Sequence, residues 1–287
     1  MQERGVGPAD MLRHTFLHIP GVGERTEARL WRAGVRSWDD VPILVPRARV
    51  PESLAGRIER EILRSEDALR RGRHGYFAAN LPPREHWRAL REFGDSVAYL
   101  DIETTGLSFG RDAVTVVGVF DGRRERSFVK GENLDRLPAA LEGAKVLVTF
   151  NGSLFDVPFL RRAFPRMRLD QIHVDLRFAL RRLGYRGGLK AIERRLGIER
   201  SEETEGLSGM DAVRLWRTHE GGDPAARELL LQYNMEDVVN LQTLADLAYT
   251  ELRGRCLHEG FVTAAELEGS RGSTAVDGPR DASLRSS

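Results

Sequence analysis

Apolar residues along this chain follow two periods, and the switches between them outline its architecture. Val97–Ile102 is almost continuously apolar, as in a buried strand. Ala113–Phe120 repeats that pattern and ends at Asp121-Gly122, a hairpin turn pair, so Arg126–Lys130 is expected to return as a third strand. Leu134–Leu141 changes to helical spacing and stops before Gly143, a residue suited to a helix C-terminus. Lys145–Phe150 predicts another buried strand, followed by a helix from about Ser153 to Ala163. A short strand near Ile172–Val174 leads to helices at Leu176–Leu183, Leu189–Leu196 and Ala212–Thr218. Asp223 and Pro224 suit the N-cap and first position of a long helix reaching about Leu252. A hairpin-led sheet followed by alternating helices and strands predicts an α/β domain with a mixed β-sheet flanked by helices over residues 96–258.

The flanks read differently. Residues 1–50 hold a short apolar pattern around Gly21-Val22-Gly23 and are expected to form a small all-α module. Residues 51–95 are rich in Arg and Glu and predict a helical linker broken at Pro82-Pro83. Residues 265–287 are rich in Ser, Gly and Arg with almost no large apolar side chains. Such a segment buries too little surface to offset its chain entropy, so a disordered tail is expected over residues 259–287.

Composition narrows the class. A chain of 287 residues suffices for one large domain and a smaller one, and 41% hydrophobic content fits a soluble globular protein. No apolar run approaches the roughly 20 residues that span a bilayer, so no membrane association is expected. The N-terminal residues MQERGVGPAD lack the apolar core of a secretory signal, and Cys256 is the single cysteine, so a cytoplasmic location is the default expectation. The net charge of +1 conceals a skew: of 44 basic residues only Lys130, Lys145 and Lys190 are lysines. GC-rich coding accounts for this, and so would a need for bidentate phosphate contacts. A near-neutral total is compatible with nucleic acid binding, because an acidic metal site can cancel a basic groove in the sum.

Candidate chemistry lies in three segments. In Tyr99-Leu-Asp-Ile-Glu-Thr-Thr-Gly-Leu107, Asp101 and Glu103 are two apart on a strand and share one face, while Ile102 turns to the other. Two adjacent acids repel, and a cation is the usual remedy. In Val148-Thr-Phe-Asn-Gly-Ser-Leu-Phe-Asp-Val-Pro-Phe-Leu160, a strand ends at Asn151-Gly152 and Asp156 falls in the first turn of the next helix. Alone, Asp156 would be read as an acid favoured by a helix N-terminus. In Tyr233-Asn-Met-Glu-Asp-Val-Val-Asn-Leu241, Tyr233 and Asp237 are four apart on a helix and share a face. Alone, such a pair is more often a surface pair.

Together and in this order, the three segments resemble the motifs of the DEDD exonuclease superfamily, in its tyrosine subclass. The fuller text, including Gly188-Leu-Lys-Ala-Ile-Glu193, is most similar to the YprB-type ribonuclease-H-like family, over roughly residues 96–250. The resemblance implies a ribonuclease-H-like fold and a 3′–5′ exonuclease hydrolysing phosphodiester bonds by a two-metal-ion mechanism, releasing 5′-mononucleotides. Asp101 would bridge two Mg²⁺ or Mn²⁺ ions, with Glu103 and Asp237 completing the first site and Asp156 reaching the second ion through water. Hard oxygen donors suit these ions rather than zinc. Tyr233 would orient or help deprotonate the attacking water. Thr104, Gly106 and Leu107 in the turn after the first strand, Asn151 and Lys190 are substrate-binding candidates, and Asn151 is read alternatively as a residue that holds Asp156. Capping explains the turn equally well, and a solvated helix face explains Lys190. Structural roles are expected for His173 and Asp175.

His18-Ile-Pro-Gly-Val-Gly-Glu-Arg-Thr-Glu-Ala-Arg-Leu-Trp31 resembles the hairpin of a helix-hairpin-helix DNA-binding element. Gly21 would turn the chain, and Gly23 would let backbone N–H groups approach a phosphate at the next helix N-terminus, with Arg25 nearby. A dinucleotide fingerprint is excluded, since no strand precedes the glycines and Thr26 stands at the third glycine position. A protein-docking hairpin is the alternative. The hairpin tilts the expected partner towards DNA over RNA. Competing readings of the whole chain are a non-catalytic nucleic-acid-binding module and a structure-selective endonuclease on the same fold.

Overall fold

The computed structural model describes residues 11–45 and 48–261. Five strands form one sheet: β1 (Val97–Thr104), β2 (Val114–Phe120), β3 (Glu125–Val129), β4 (Val146–Thr149) and β5 (Ile172–Asp175). Their order is β3-β2-β1-β4-β5, with β1–β2 and β2–β3 antiparallel and β1–β4 and β4–β5 parallel. This is the mixed sheet of a ribonuclease-H-like α/β fold. The Asp121-Gly122 turn joins β2 to β3, and Asp121 accepts hydrogen bonds from the amides of Arg123 and Arg124.

Helices precede and flank the sheet: α1 (Glu24–Arg32), α2 (Val41–Leu44), α3 (Glu52–Arg70), α4 (His74–Asn80), α5 (Leu137–Leu141), α6 (Asp156–Ala163), α7 (Leu176–Arg182), α8 (Leu189–Leu196), α9 (Gly209–Glu220) and α10 (Pro224–Phe261). Two expected helices start later than their spacing predicted. Leu134–Arg136 is a 3-10 turn ahead of α5, whose second residue is Pro138. Before α6 the chain makes a turn at Asn151, which adopts φ 68°, so the α-helix begins at Asp156 rather than Ser153. Asp223 caps α10 as expected, accepting from the amides of Ala225 and Ala226, and α10 continues past Leu252 to Phe261. The remainder of the expected tail, and residues 1–10 of the N-terminal module, lie outside the described residues. Among the described residues no helix is long and apolar enough to cross a membrane.

Strand alternation sorts β1 between two cores. Ala98, Leu100 and Ile102 face the layer containing α5 and α6, with Leu137, Leu141, Val157 and Leu160. Val97 and Tyr99 face the opposite layer, where Val238, Leu241 and Leu244 of α10 pack. Asp101 and Glu103 continue this second face and so point towards α10.

The N-terminal helices do not sit apart from this second core. Met11, Phe16, Trp38 and Phe77 belong to the same apolar cluster as Val146, Ile172, Leu180 and Leu252. A buried ion network reinforces the junction. Arg88 donates to Glu27 (2.9 Å), Glu85 (2.8 Å) and Thr15 (2.9 Å), and Glu85 also accepts from Arg182 on α7 at 3.0 Å. The amide of Met11 donates to the Tyr249 hydroxyl of α10 at 3.0 Å.

Candidate active site

Two elements converge on one cluster of acids. β1 presents Asp101 and Glu103 to the face covered by α10, and α10 returns Tyr233 and Asp237 one helical turn apart. Carboxylate oxygens of Asp101, Glu103 and Asp237 lie within 4.8 Å of one another. Glu103, Tyr233 and Asp237 are buried and Asp101 is half-buried. Asp156, at the start of α6, is buried outside this triad, and its Oδ1 has no hydrogen-bond partner.

The electrostatics are those of acids held too close together. Burial, then the charges of Asp156, Asp237 and Glu103, push Asp101 well above the ordinary carboxylate range, with Lys190 opposing. Burial and Asp237 do the same to Glu103, where Lys190 and the Asn234 amide oppose them. Burial pushes Asp156 up to about 7, against the amides of Asp156 itself and Ile102. Asp237 is raised by burial but restrained by two cations, Lys190 and Arg200. Burial and then Asp237, Glu103 and Asp101 raise the Tyr233 phenol, which keeps it neutral.

Lys190, at the start of α8, donates to the Tyr233 hydroxyl at 2.5 Å and lies 3.4 Å from Asp237 Oδ2. Its ammonium is also 4.0 Å from the centre of the Tyr233 ring. It is therefore a member of the cluster and not a purely solvated residue. Asn151 holds neither Asp156 nor the acid triad: its Oδ1 accepts from Arg177 at 2.5 Å. In the turn after β1, Thr104 donates to the Gly106 carbonyl at 2.6 Å. Gly106 is pressed against Asp112, where any Cβ would come within 2.7 Å of a carboxylate oxygen. Leu107 is 69% exposed at the tip, free to meet a ligand. His173 and Asp175 support the neighbouring strand ends: His173 bonds Thr149 Oγ1 at 2.8 Å, and Asp175 accepts from the amides of Asn151, Ser153 and Arg177.

Gly21 turns the chain ahead of α1 at φ 90°, and Gly23 precedes α1 in an extended conformation. Both glycines and Arg25 are exposed, and Arg57 braces the turn by donating to the Pro20 carbonyl at 3.0 Å. The module meets α10 at Tyr249, about 18 Å along the helix from Asp237 at 1.5 Å rise per residue.

Some contributors carried no clear sequence signal. Arg200, in the segment after α8, bonds Asp237 and makes two hydrogen bonds to Glu193, at 2.8 and 3.1 Å. Glu193 is buried and also accepts from Asn240 at 3.0 Å. Asn234, beside Tyr233, donates to Asp101. Glu193 and Asn234 stand inside the motif text, but nothing in their spacing announces these partners.

A family model for the RNase_H superfamily matches residues 98–249, more than half of the chain. Among solved structures, the family B DNA polymerase from the hyperthermophilic archaeon Pyrobaculum calidifontis aligns at 21% identity with a TM-score of 0.41, covering 54% of this chain and 24% of the polymerase. The chain thus spans about a quarter of that polymerase's length. No curated protein matches the sequence.

Proposed function

The chain belongs to the RNase H superfamily, and from that membership we propose that it is a metal-dependent nuclease, a 3′–5′ exonuclease releasing 5′-mononucleotides. The observation that carries this reading is the convergence of Asp101, Glu103 and Asp237 within 4.8 Å beside Tyr233. A fold gains nothing in stability from acids that burial and mutual repulsion make hard to ionise.

The donor set fits hard dications. All candidate ligands are carboxylates, and the buried, unpartnered Oδ1 of Asp156 is a further oxygen in want of a partner. Asp101, Glu103 and Asp237 would hold one Mg²⁺ or Mn²⁺, and Asp101 with Asp156 a second. When bound, the ions polarise the phosphodiester and ease deprotonation of water.

The remaining roles fall to the chain's own groups. Tyr233 stays protonated, and its oxygen accepts from Lys190. Its O–H is therefore directed away from Lys190, as a donor that orients the attacking water or a phosphate oxygen rather than as a base. The Lys190 charge offsets the acids and fixes the phenol. The turn of Thr104, Gly106 and Leu107 would bear on the terminal nucleotide, with Leu107 its exposed apolar contact. DNA is favoured over RNA because the segment around Gly21, Gly23 and Arg25 is similar to a helix-hairpin-helix element, which would grip phosphates without reading sequence.

Oligonucleotides of DNA and RNA, single- and double-stranded and labelled at either end, test the proposal in Mn²⁺. Wild type should shorten DNA from the 3′ end and stop at a blocked 3′ terminus, and Asp101→Ala should release nothing. A wild type that releases no nucleotide, or an Asp101→Ala variant as active as wild type, removes the catalytic assignment. Cleavage that ignores the blocked end supports an endonuclease instead.

A further inference from the structure

Asn234 is fully buried between α10 and the sheet. Its Nδ2 donates to Oδ2 of Asp101 at 2.9 Å and lies 3.4 Å from the Asp101 carbonyl oxygen. One amide thus grips the side chain and the main chain of the central acid. The sheet is cut away to admit it. Gly118 of β2 is the register partner of Asp101. Any Cβ on Gly118 would come within 2.7 Å of Val238 Cγ2 and closer still to Asn234 Oδ1. No β-branched residue, the usual choice for a buried strand, could stand there.

The arrangement is costly to the fold. Gly118 weakens the middle of a strand flanked by valines, and Asn234 Oδ1 is buried without a hydrogen-bond partner. An apolar side chain of the same size would pack against Val238 without leaving a polar atom stranded. Stability alone does not select this pair, whereas the control of Asp101 does.

We propose that Asn234 is a positioning residue for Asp101, admitted by Gly118, that fixes the rotation of the carboxylate by holding Oδ2 and so leaves the other oxygen for the cation shared with Glu103 and Asp237. The inference rests on the metal-site reading above. A carboxylate next to two others would otherwise turn to minimise repulsion, and a cation would have to restore its orientation on binding. Fixing the ligand beforehand removes that cost.

Mn²⁺ binding to the purified full chain without substrate, followed by the paramagnetic resonance signal of free Mn²⁺, tests this against thermal melting in EDTA. Asn234→Leu should melt at or above the wild-type temperature yet bind Mn²⁺ about 10–100-fold more weakly, the range for loss of a residue that orients a ligand. Gly118→Ala should weaken Mn²⁺ binding in the same direction while keeping the amide, because its Cβ displaces Asn234. A folded Asn234→Leu chain with wild-type Mn²⁺ affinity overturns the inference and leaves the metal site standing. If that variant does not fold, the affinity of Gly118→Ala decides in the same way. A wild type that binds no Mn²⁺ removes the metal-site reading, and this inference with it.

Discussion

Arg88→Ala should cost about 3–5 kcal/mol of folding stability, the range for breaking a buried ion pair from one side. Arg88 is 3% exposed and lies between two buried carboxylates, Glu27 and Glu85. Glu85 keeps a second cation, Arg182 at 3.0 Å. Glu27 has no other salt bridge among the described residues and retains only hydrogen bonds from Thr15 and the Phe16 amide. The stranded charge is therefore Glu27. Out of the roughly 5–15 kcal/mol that holds an ordinary domain together, the loss is a large fraction. Its pH dependence identifies the cause. Burial already raises Glu27, and Arg88 is the largest opposing influence, so without Arg88 the folded-state pKa rises further. A carboxyl raised in the folded state is most stabilising when protonated, and that stability is lost as pH rises through the folded pKa. The cost of Arg88→Ala should shrink between about pH 8 and about pH 5.5. Urea unfolding of wild type, Arg88→Ala and Arg88→Ala/Glu27→Gln at both pH values measures it. The double variant should recover part of the loss, since glutamine keeps the acceptor and lacks the charge. A cost under about 1 kcal/mol, as for a surface pair, or an equal cost at both pH values, refutes the reasoning.

Two further outcomes follow from the acid cluster. Lys190→Met should lower kcat by about 10-fold or more with little change in KM, because it frees the Tyr233 hydroxyl that Lys190 holds at 2.5 Å; single-turnover rates at saturating oligonucleotide measure this, and a wild-type rate would contradict it. In EDTA, melting temperature should rise as pH falls from alkaline values through about 7, because Asp156 titrates there in the folded state and Asp101, Glu103 and Asp237 are also raised, so their stabilisation is lost as pH rises. Below the ordinary histidine value of 6.5 the rise should become shallower, since burial lowers His18 to about 3 and His173 to about 4 and so opposes the acids, and Mg²⁺ should flatten the alkaline limb. Scanning calorimetry across pH with and without Mg²⁺ checks both limbs.

Much of the fold was legible because single elements carry it. The apolar run before Asp101 defines β1, and a period of two sends Asp101 and Glu103 to one face whatever their neighbours are. The Tyr233–Asp237 pairing needs only the helical period. What the sequence hid depends on partners far along the chain. The delayed start of α6 reflects a turn tied down by Asp175, which binds the amides of Asn151 and Ser153 from more than 20 positions away. The role of Gly118 exists only because Asn234 approaches it from another layer. Arg200 is one arginine among many until the fold brings it to Glu193 and Asp237.

The cations around Asp237 explain how the acid cluster persists in a folded chain. Lys190 and Arg200 both reach Asp237, and Glu193 anchors Arg200 from the opposite side. Buried Glu193 and Arg200 are fixed to each other, so Arg200 serves Asp237 as permanent scaffolding. Glu193 raises Asp237 slightly while Lys190 and Arg200 lower it, leaving Asp237 the best compensated acid of the cluster. Asp101 and Asp156 have no such support: no cation bonds either of them among the described residues, and Asp101 receives its hydrogen bonds from a neutral amide. Two cations against five carboxylates, Glu193 included, leave an excess of negative charge that protons or a dication can balance. The excess lies at Asp101, Glu103 and Asp156, none of which is bonded to a cation among the described residues. On the proposed reading a divalent ion would supply that balance at these acids, while Lys190 and Arg200 hold Asp237 and Lys190 holds the Tyr233 hydroxyl.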